Sequence, residues 1–334
     1  MKIWIRIFFI AAVLGLAAYI VTSIDLGEAY DSLSQADGLY LFLAFASYFI
    51  TFFIFSIRNF YFFRWLLKPD YMFLIETVFA GFFLNTVLPS AQIGGDPPKA
   101  YAFGLKYNKP VSKTFGVIFA DKIIHILSLL LFIFFSVIYL VTFMPLPREF
   151  EVVLQAFLFF IFIVSIIIPI FSMRKTKTSL YLVLKKSRMI SWLNPFKKNS
   201  KLQERIGKHI GDFTRAFKRT LRTKKILFLG IVLSIIYWIL NYFVSYFLFL
   251  SLGIKINFLL VIVVFSLVSF AGVFFPTPGG VGLIESLMIF LYSLAGVDLE
   301  TAIIVSLLTR VIFYFYAIVI GGISLIHLEN TLKS

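Results

Sequence analysis

The chain reads as an all-α polytopic membrane protein, and three observations carry that reading. Of its 334 residues 60% are hydrophobic and only 14% charged, with a mean hydropathy of +0.97; a soluble domain has about 25% charged residues. Its apolar residues fall in runs that match the roughly 20 helical residues needed to cross about 30 Å of hydrocarbon. Its formal net charge of +15 is concentrated: the segment from Arg174 to Lys225 holds seventeen basic and two acidic residues, leaving fourteen of each sign elsewhere. Lys- and Arg-rich loops stay on the cytoplasmic side of a membrane, so the excess charge records orientation and is no sign of nucleic-acid binding. With no cysteine and three histidines, disulfides, thiolate metal centres and cysteine nucleophiles are excluded. No metal or other cofactor is expected.

Full spans are expected at 3–22, 39–57, 114–143, 151–172, 226–250 and 301–327, about six transmembrane helices. The first follows Lys2 and Arg6 but is long for a signal peptide and lacks a clean cleavage site, so it reads as a retained anchor. Asp25, Glu28, Asp31 and Asp37 then suit the outside, and Arg58, Arg64 and Lys68 mark the inside. Both termini are placed in the cytoplasm, and the protein in the cytoplasmic (plasma) membrane.

Two stretches do not fit simple spans. Residues 71–88 are apolar apart from Glu76 and Asn85, then break at Pro89 to Asp96, and Lys106, Lys109 and Lys113 follow. A full crossing would put those lysines and the 174–225 segment outside, against the charge rule, so 71–113 is expected to enter from the cytoplasm and return. The second stretch, 258–296, breaks at Phe275 to Glu285, and the charge rule leaves open a hairpin or two short spans. Asp96-Pro97 and Thr277-Pro278 both read as an N-cap followed by a first-turn proline. Two broken elements of opposite orientation are the sequence pointer to a transporter site near the midplane.

In the basic 173–225 loop, Leu202, Ile206, Ile210, Phe213, Phe217 and Leu221 share one helical face, with cations on the others. The 201–222 helix is expected to lie on the membrane with its apolar side down among anionic inner-leaflet lipids. A loop that only sets topology, or one that docks a partner, stays open.

Ionisable residues within apolar runs are expensive and are site candidates by default. They are Glu76, Asp96, Asp121, Lys122, His125, Glu285 and Arg310, with Lys99 and Arg58 near the borders. Asp121 and His125 are four apart and face each other on one helix, as a proton relay or as a packed pair. Glu285 and Arg310 cancel each other as a pair, or Arg310 and Lys99 hold an anionic head group while Asp96 or Glu285 balances charge. A helix starting at Pro278 would aim free N–H groups at a ligand, with Gly279, Gly280 and Gly282 removing side chains from its path, or those glycines serve close helix packing.

The run Leu88-Pro89 with Gly94-Gly95-Asp96-x-x-Lys99, the basic central loop, and Pro276-x-Pro278-Gly279-Gly280-x-Gly282-x-x-Glu285 before Arg310 resemble the flippase-like family, also called the lysylphosphatidylglycerol synthase transmembrane-region family. The resemblance covers roughly 1–327 as a single domain, with 328–334 a short tail. Members often carry Arg where this chain has Lys99. The resemblance implies a helical bundle that moves phospholipids or polyprenyl-linked lipids between leaflets, without the aminoacyl-transferase domain of the two-part bacterial members. On it, Arg310, Lys99, Asn85, Gly279, Gly280, Gly282, Glu285 and Asp96 are the expected substrate-binding set, and the partner is a membrane lipid with an anionic head group. A membrane-embedded transferase acting on a lipid phosphate and a non-transporting accessory subunit are the alternative readings.

Overall fold

The structure, a computed structural model, describes residues 34–89, 93–143, 200–274 and 277–332, with isolated positions at 152, 159 and 163. The expected spans 3–22 and 151–172, most of the basic loop before Ser200, and parts of both breaks (90–92 and 275–276) fall outside those four stretches. The regular elements among the described residues are all helices: α1 Gly38–Phe63, α2 Tyr71–Val87, α3 Asp96–Lys106, α4 Val111–Phe143, α5 Ser200–Arg222, α6 Lys224–Ser251, α7 Phe258–Phe274, α8 Leu283–Leu294 and α9 Leu299–Thr331. Among them α1, α4, α6 and α9 are long and apolar enough to cross a membrane.

Local chemistry explains the helix starts. The Asp37, Asp70 and Asp298 carboxylates accept from the backbone N–H groups of Leu39, Met72 and Thr301, the N-cap geometry that satisfies orphan first-turn donors. Hydrogen bonds from Thr301 hold the Asp298 carboxyl below its usual range. Helix α9 carries a π-helical turn over Phe315–Ile320, a widening of the kind found at functional sites.

The antiparallel pair α1 and α6 forms the frame. The Asp37 N–H donates to the Ser251 carbonyl at 2.8 Å, so the start of α1 meets the end of α6. At the other end Gly230 lies against the Phe62 ring. The first hairpin, α2–α3, enters and returns at that second end. There the Asp70 N–H donates to the Tyr107 hydroxyl at 2.7 Å, Lys106 reaches Asp70 at 3.3 Å, and Phe103 stacks on Phe63 with ring centroids 4.2 Å apart. The second hairpin, α7–α8, is rooted at the opposite end, where Phe258 stacks on Phe243 at 4.8 Å and Tyr292 meets Phe249 at 5.0 Å. Of the two versions left open for 258–296, the hairpin is the one formed. Both tips reach the interior, where a Cβ added at Gly279 would lie 3.4 Å from Thr86 Cγ2.

Three expectations need correction. Asp96 is not a cap: Gly95 is the N-cap, and the Asp96 side chain turns to Lys122 at 2.6 Å. No α-helix starts at Pro278. Pro278–Gly280 form a single 3₁₀ turn and α8 begins at Leu283, because Gly279, Gly280 and Gly282 take φ of 58, 74 and 84°, a region that only glycine enters freely. Finally, the apolar face of α5 is met in part by protein. Phe213 packs on Phe115 and Phe119, Phe217 packs on Phe119, and Ala216 is buried. Gly116 of α4 lets the two backbones close, since a Cβ there would sit 2.6 Å from the Phe213 carbonyl oxygen. The stripe read from the periodicity is only half covered: Ile206 is exposed and Phe213 and Phe217 are half-buried, while the buried positions of α5 are Asp212, Ala216 and Thr220.

The first hairpin depends on a similar approach. A Cβ at Gly95 would run into the Gly81 backbone, so Gly95→Ala is expected to lower stability by about 1–3 kcal/mol through overpacking. Gly207→Ala has open space and is expected to raise it by up to about 1 kcal/mol on helix propensity. Thermal unfolding of both variants in one detergent checks the contrast; equal shifts would contradict the hairpin packing.

Candidate functional site

A cavity of about 280 Å³ lies where the two tips meet. Asn85, Thr86 and Ile93 line it from the first hairpin and Gly279 and Ile284 from the second. Lys122 and His125 of α4, Asn241 of α6 and Arg310 of α9 add polar groups to walls otherwise made mostly of apolar side chains. Apolar walls with a few convergent polar groups are the usual form of a ligand site.

Each break is held by a side chain that fills a backbone group the break leaves open. Asn85 Oδ1 accepts from the Gly95 N–H at 2.7 Å. Glu285 Oε2 accepts from the Gly282 N–H at 2.8 Å, closing the first turn of α8. Arg310 donates to the Gly279 carbonyl, to Glu285 Oε1 at 2.7 Å through Nε, and to the Tyr314 hydroxyl at 2.6 Å. Arg310 and Glu285 are 6% and 4% exposed, and a buried charge of this kind persists only when paired and hydrogen-bonded. The pair expected as one of two alternatives is therefore formed.

Lys99 is placed elsewhere. It is 6% exposed, donates to Asn59 Oδ1 at 2.5 Å, and lies over the Phe55 ring; it is not among the residues lining the cavity. Lys122 takes the place at the wall that Lys99 was expected to hold, salt-bridged to Asp96. Gly280, Gly282, Glu285 and Asp96 shape or hold the wall from behind.

Asp121 and His125 do not bond to each other. Arg58, 1% exposed, stands between them: Nε and Nη2 bind the two Asp121 oxygens at 2.6 and 3.1 Å, while Nη1 reaches Ser234 Oγ at 2.7 Å and His125 Nδ1 at 2.9 Å. A guanidinium only donates, so Nδ1 accepts and the imidazole is neutral with its proton on Nε2. Neither the direct relay nor the packed pair read from the spacing is what the geometry brings together. Around the cavity Arg58, Lys99, Lys122 and Arg310 face Asp96, Asp121 and Glu285, one positive charge in excess.

Sequence reasoning missed Thr86, Asn241 and Tyr314, single polar residues in apolar helices that nothing in the chain distinguishes from packing positions. Lys122 was flagged by its cost in hydrocarbon but had no assigned partner. Among the described residues no His/Cys/Asp/Glu group has the arrangement to hold a metal ion.

Removing one partner of a buried ion pair costs about 3–5 kcal/mol. Glu285→Gln and Arg310→Met are each expected to destabilise by that order, and the double variant by clearly less than their sum. A double-mutant cycle on denaturation in detergent measures this coupling; additive losses would remove the pair from the account.

Comparison with known proteins agrees with the architecture. A membrane protein of the UPF0104 type from Pyrococcus horikoshii is 28% identical over 305 residues, covering 90% of each chain. A second, from Methanothermobacter thermautotrophicus, is 26% identical over 331 residues, 94% of this chain and 93% of the relative. One from Methanocaldococcus jannaschii is 23% identical over 262 residues, 76% of this chain and 74% of its own. The family model described as the lysylphosphatidylglycerol synthase TM region matches residues 3–322. This multi-pass membrane chain, with two broken hairpins meeting at Arg310, belongs to the lysylphosphatidylglycerol synthase transmembrane-region family.

Proposed function

We propose that the protein moves a lipid with an anionic head group between the leaflets of the cytoplasmic membrane, with the basic end, including α5, in the cytoplasm. The observation that carries this reading is the cavity at the meeting of two hairpins rooted at opposite ends of the bundle. Irregular backbone at membrane depth survives where it lines a cavity, and a site at the junction of two opposed broken elements is reachable from either side when one hairpin shifts against the other.

The head group enters the cavity and the acyl chains remain in lipid. The one positive charge in excess is that of Lys99, behind the wall on Asn59, and it favours an anion in the cavity at longer range. Lys122 and Arg310 are the cations at the wall, and each is already paired, Lys122 with Asp96 and Arg310 with Glu285. A phosphate therefore competes with a carboxylate rather than meeting a bare cation. Such exchange keeps the buried charges compensated when the cavity is empty, which limits both the cost of the unloaded state and the affinity of the loaded one.

A leaflet-resolved assay with fluorescent phospholipid in proteoliposomes tests this. Lys122→Gln removes a wall cation, and Ser269→Trp fills the cavity from α7 without touching a charge. Both are expected to slow transfer at least tenfold, with Ile326→Ala on the exposed face of α9 unchanged. Wild-type protein that transfers no faster than empty liposomes, or a covalently altered lipid without transfer, would overturn the reading.

A further inference from the structure

A second concave site lies well away from the cavity, at the end where the first hairpin enters. It is an open cleft of about 450 Å³ between the α1–α2 link and the α3–α4 link, lined among others by Arg64, Trp65, Lys68, Tyr107 and Lys109. The side chains of Arg64, Lys68 and Lys109 form no ion pair or hydrogen bond with any described residue, and all three are exposed. The acid closest in sequence, Asp70, is occupied by Lys106 at 3.3 Å. Three cationic residues thus line one hollow with no counter-ion among the described residues.

The aromatic walls are built. Trp65 Nε1 donates to the Thr220 hydroxyl of α5 at 3.1 Å, and Arg219 lies over its ring at 4.6 Å, putting a fourth cation on the rim. The Tyr107 hydroxyl accepts from the Asp70 N–H at 2.7 Å, and its ring stacks on Phe103 at 6.0 Å. Like-charged side chains lining one cleft repel one another in the absence of an anion. A phosphoryl group with two negative charges relieves that repulsion, and a guanidinium meets its oxygens bidentately. Trp and Tyr at one end of a helical bundle are also the side chains that favour the head-group layer.

We infer that this cleft binds a phosphomonoester or diphosphate group, separately from the cavity between the hairpins. A singly charged phosphodiester leaves most of the converging charge uncompensated and binds more weakly. The basic stripe of α5 extends the field: Arg205, Lys208, Arg215, Arg219 and Arg222 are exposed and fall within roughly 100° of arc, with Arg215 paired to Asp212. That stripe attracts anions of any kind, whereas the cleft selects by charge per phosphorus.

Binding to the full chain in detergent, read by native mass spectrometry and titration calorimetry, tests the assignment without any transport measurement. The probes are dihexanoyl phosphatidic acid, dihexanoyl phosphatidylglycerol and glycerol 3-phosphate. Wild type is expected to bind the phosphatidic acid at least tenfold more tightly than the phosphatidylglycerol. Arg64→Gln/Lys68→Gln/Lys109→Gln should lose at least tenfold of that binding, and each single change two- to fivefold. The side chains are exposed, so thermal unfolding should not move. Ile326→Ala, on the exposed face of α9, should bind as wild type. The cavity reading calls for an anionic head group and not for a monoester, so loss of the monoester preference fails this site and leaves the cavity reading standing. Glycerol 3-phosphate binding as tightly as the phosphatidic acid assigns the cleft to a soluble phosphate ester, and weaker binding to a lipid head group; both retain the phosphomonoester preference. Equal binding by wild type and the triple variant, or no preference for the monoester over the diester, would overturn it.

Discussion

Backbone polar groups cannot be left open in hydrocarbon, and the chain breaks two helices there. The polar contacts at the two tips follow from how those breaks are closed. Asn85 supplies an acceptor to the Gly95 N–H, Glu285 to the Gly282 N–H, and Arg310 a donor to the Gly279 carbonyl. These three long polar side chains stand in for the missing turns of helix, which is why the breaks can sit inside the bundle. Glu285 then has a second oxygen to satisfy and Arg310 further donors, and they satisfy each other. The ion pair is thus a by-product of mending two gaps in one hairpin, and the cavity is the space that the two mended tips do not fill.

This arrangement also sets what a ligand must do. The cations at the wall are already paired within the protein, so on the proposed reading a head group gains only by offering better partners than the ones it displaces. Pre-satisfied sites bind weakly and release readily, which suits passage more than storage. The Arg58–Asp121 pair lies one layer further back and has a different part. It ties α1 to α4, with Ser234 bringing in α6, and so fixes the frame against which the hairpins rest.

Much of the architecture was legible in the sequence because membrane physics writes it in composition. Run length gave the four long described helices, and the localised basic segment forced 71–113 to fold back. The Pro-Gly clusters marked both tips. Side-chain destinations were less legible. Lys99 and Lys122 are both cations near the first break, and nothing in the linear chain says that Lys99 turns to Asn59 while Lys122 reaches Asp96 and the cavity. Asp121 and His125 have the spacing of a pair, but Arg58, 63 positions from Asp121, inserts between them. The α5 periodicity points its apolar face at lipid, and the close approach at Gly116 turns part of that face to α4 instead. Local spacing fixes which side of a helix a residue takes, whereas its partner depends on which other helix arrives there.

The central claim is that the two hairpin tips meet in the membrane and must separate for a head group to pass. The chain has no cysteine, so a Thr86→Cys/Gly279→Cys pair introduces the only two thiols, at positions close enough for a disulfide. Oxidation in proteoliposomes followed by leaflet-resolved lipid transfer tests the claim directly. The account predicts an intramolecular disulfide, loss of transfer in the oxidised protein, and recovery on reduction. Transfer at the same rate with the tips locked together would contradict it.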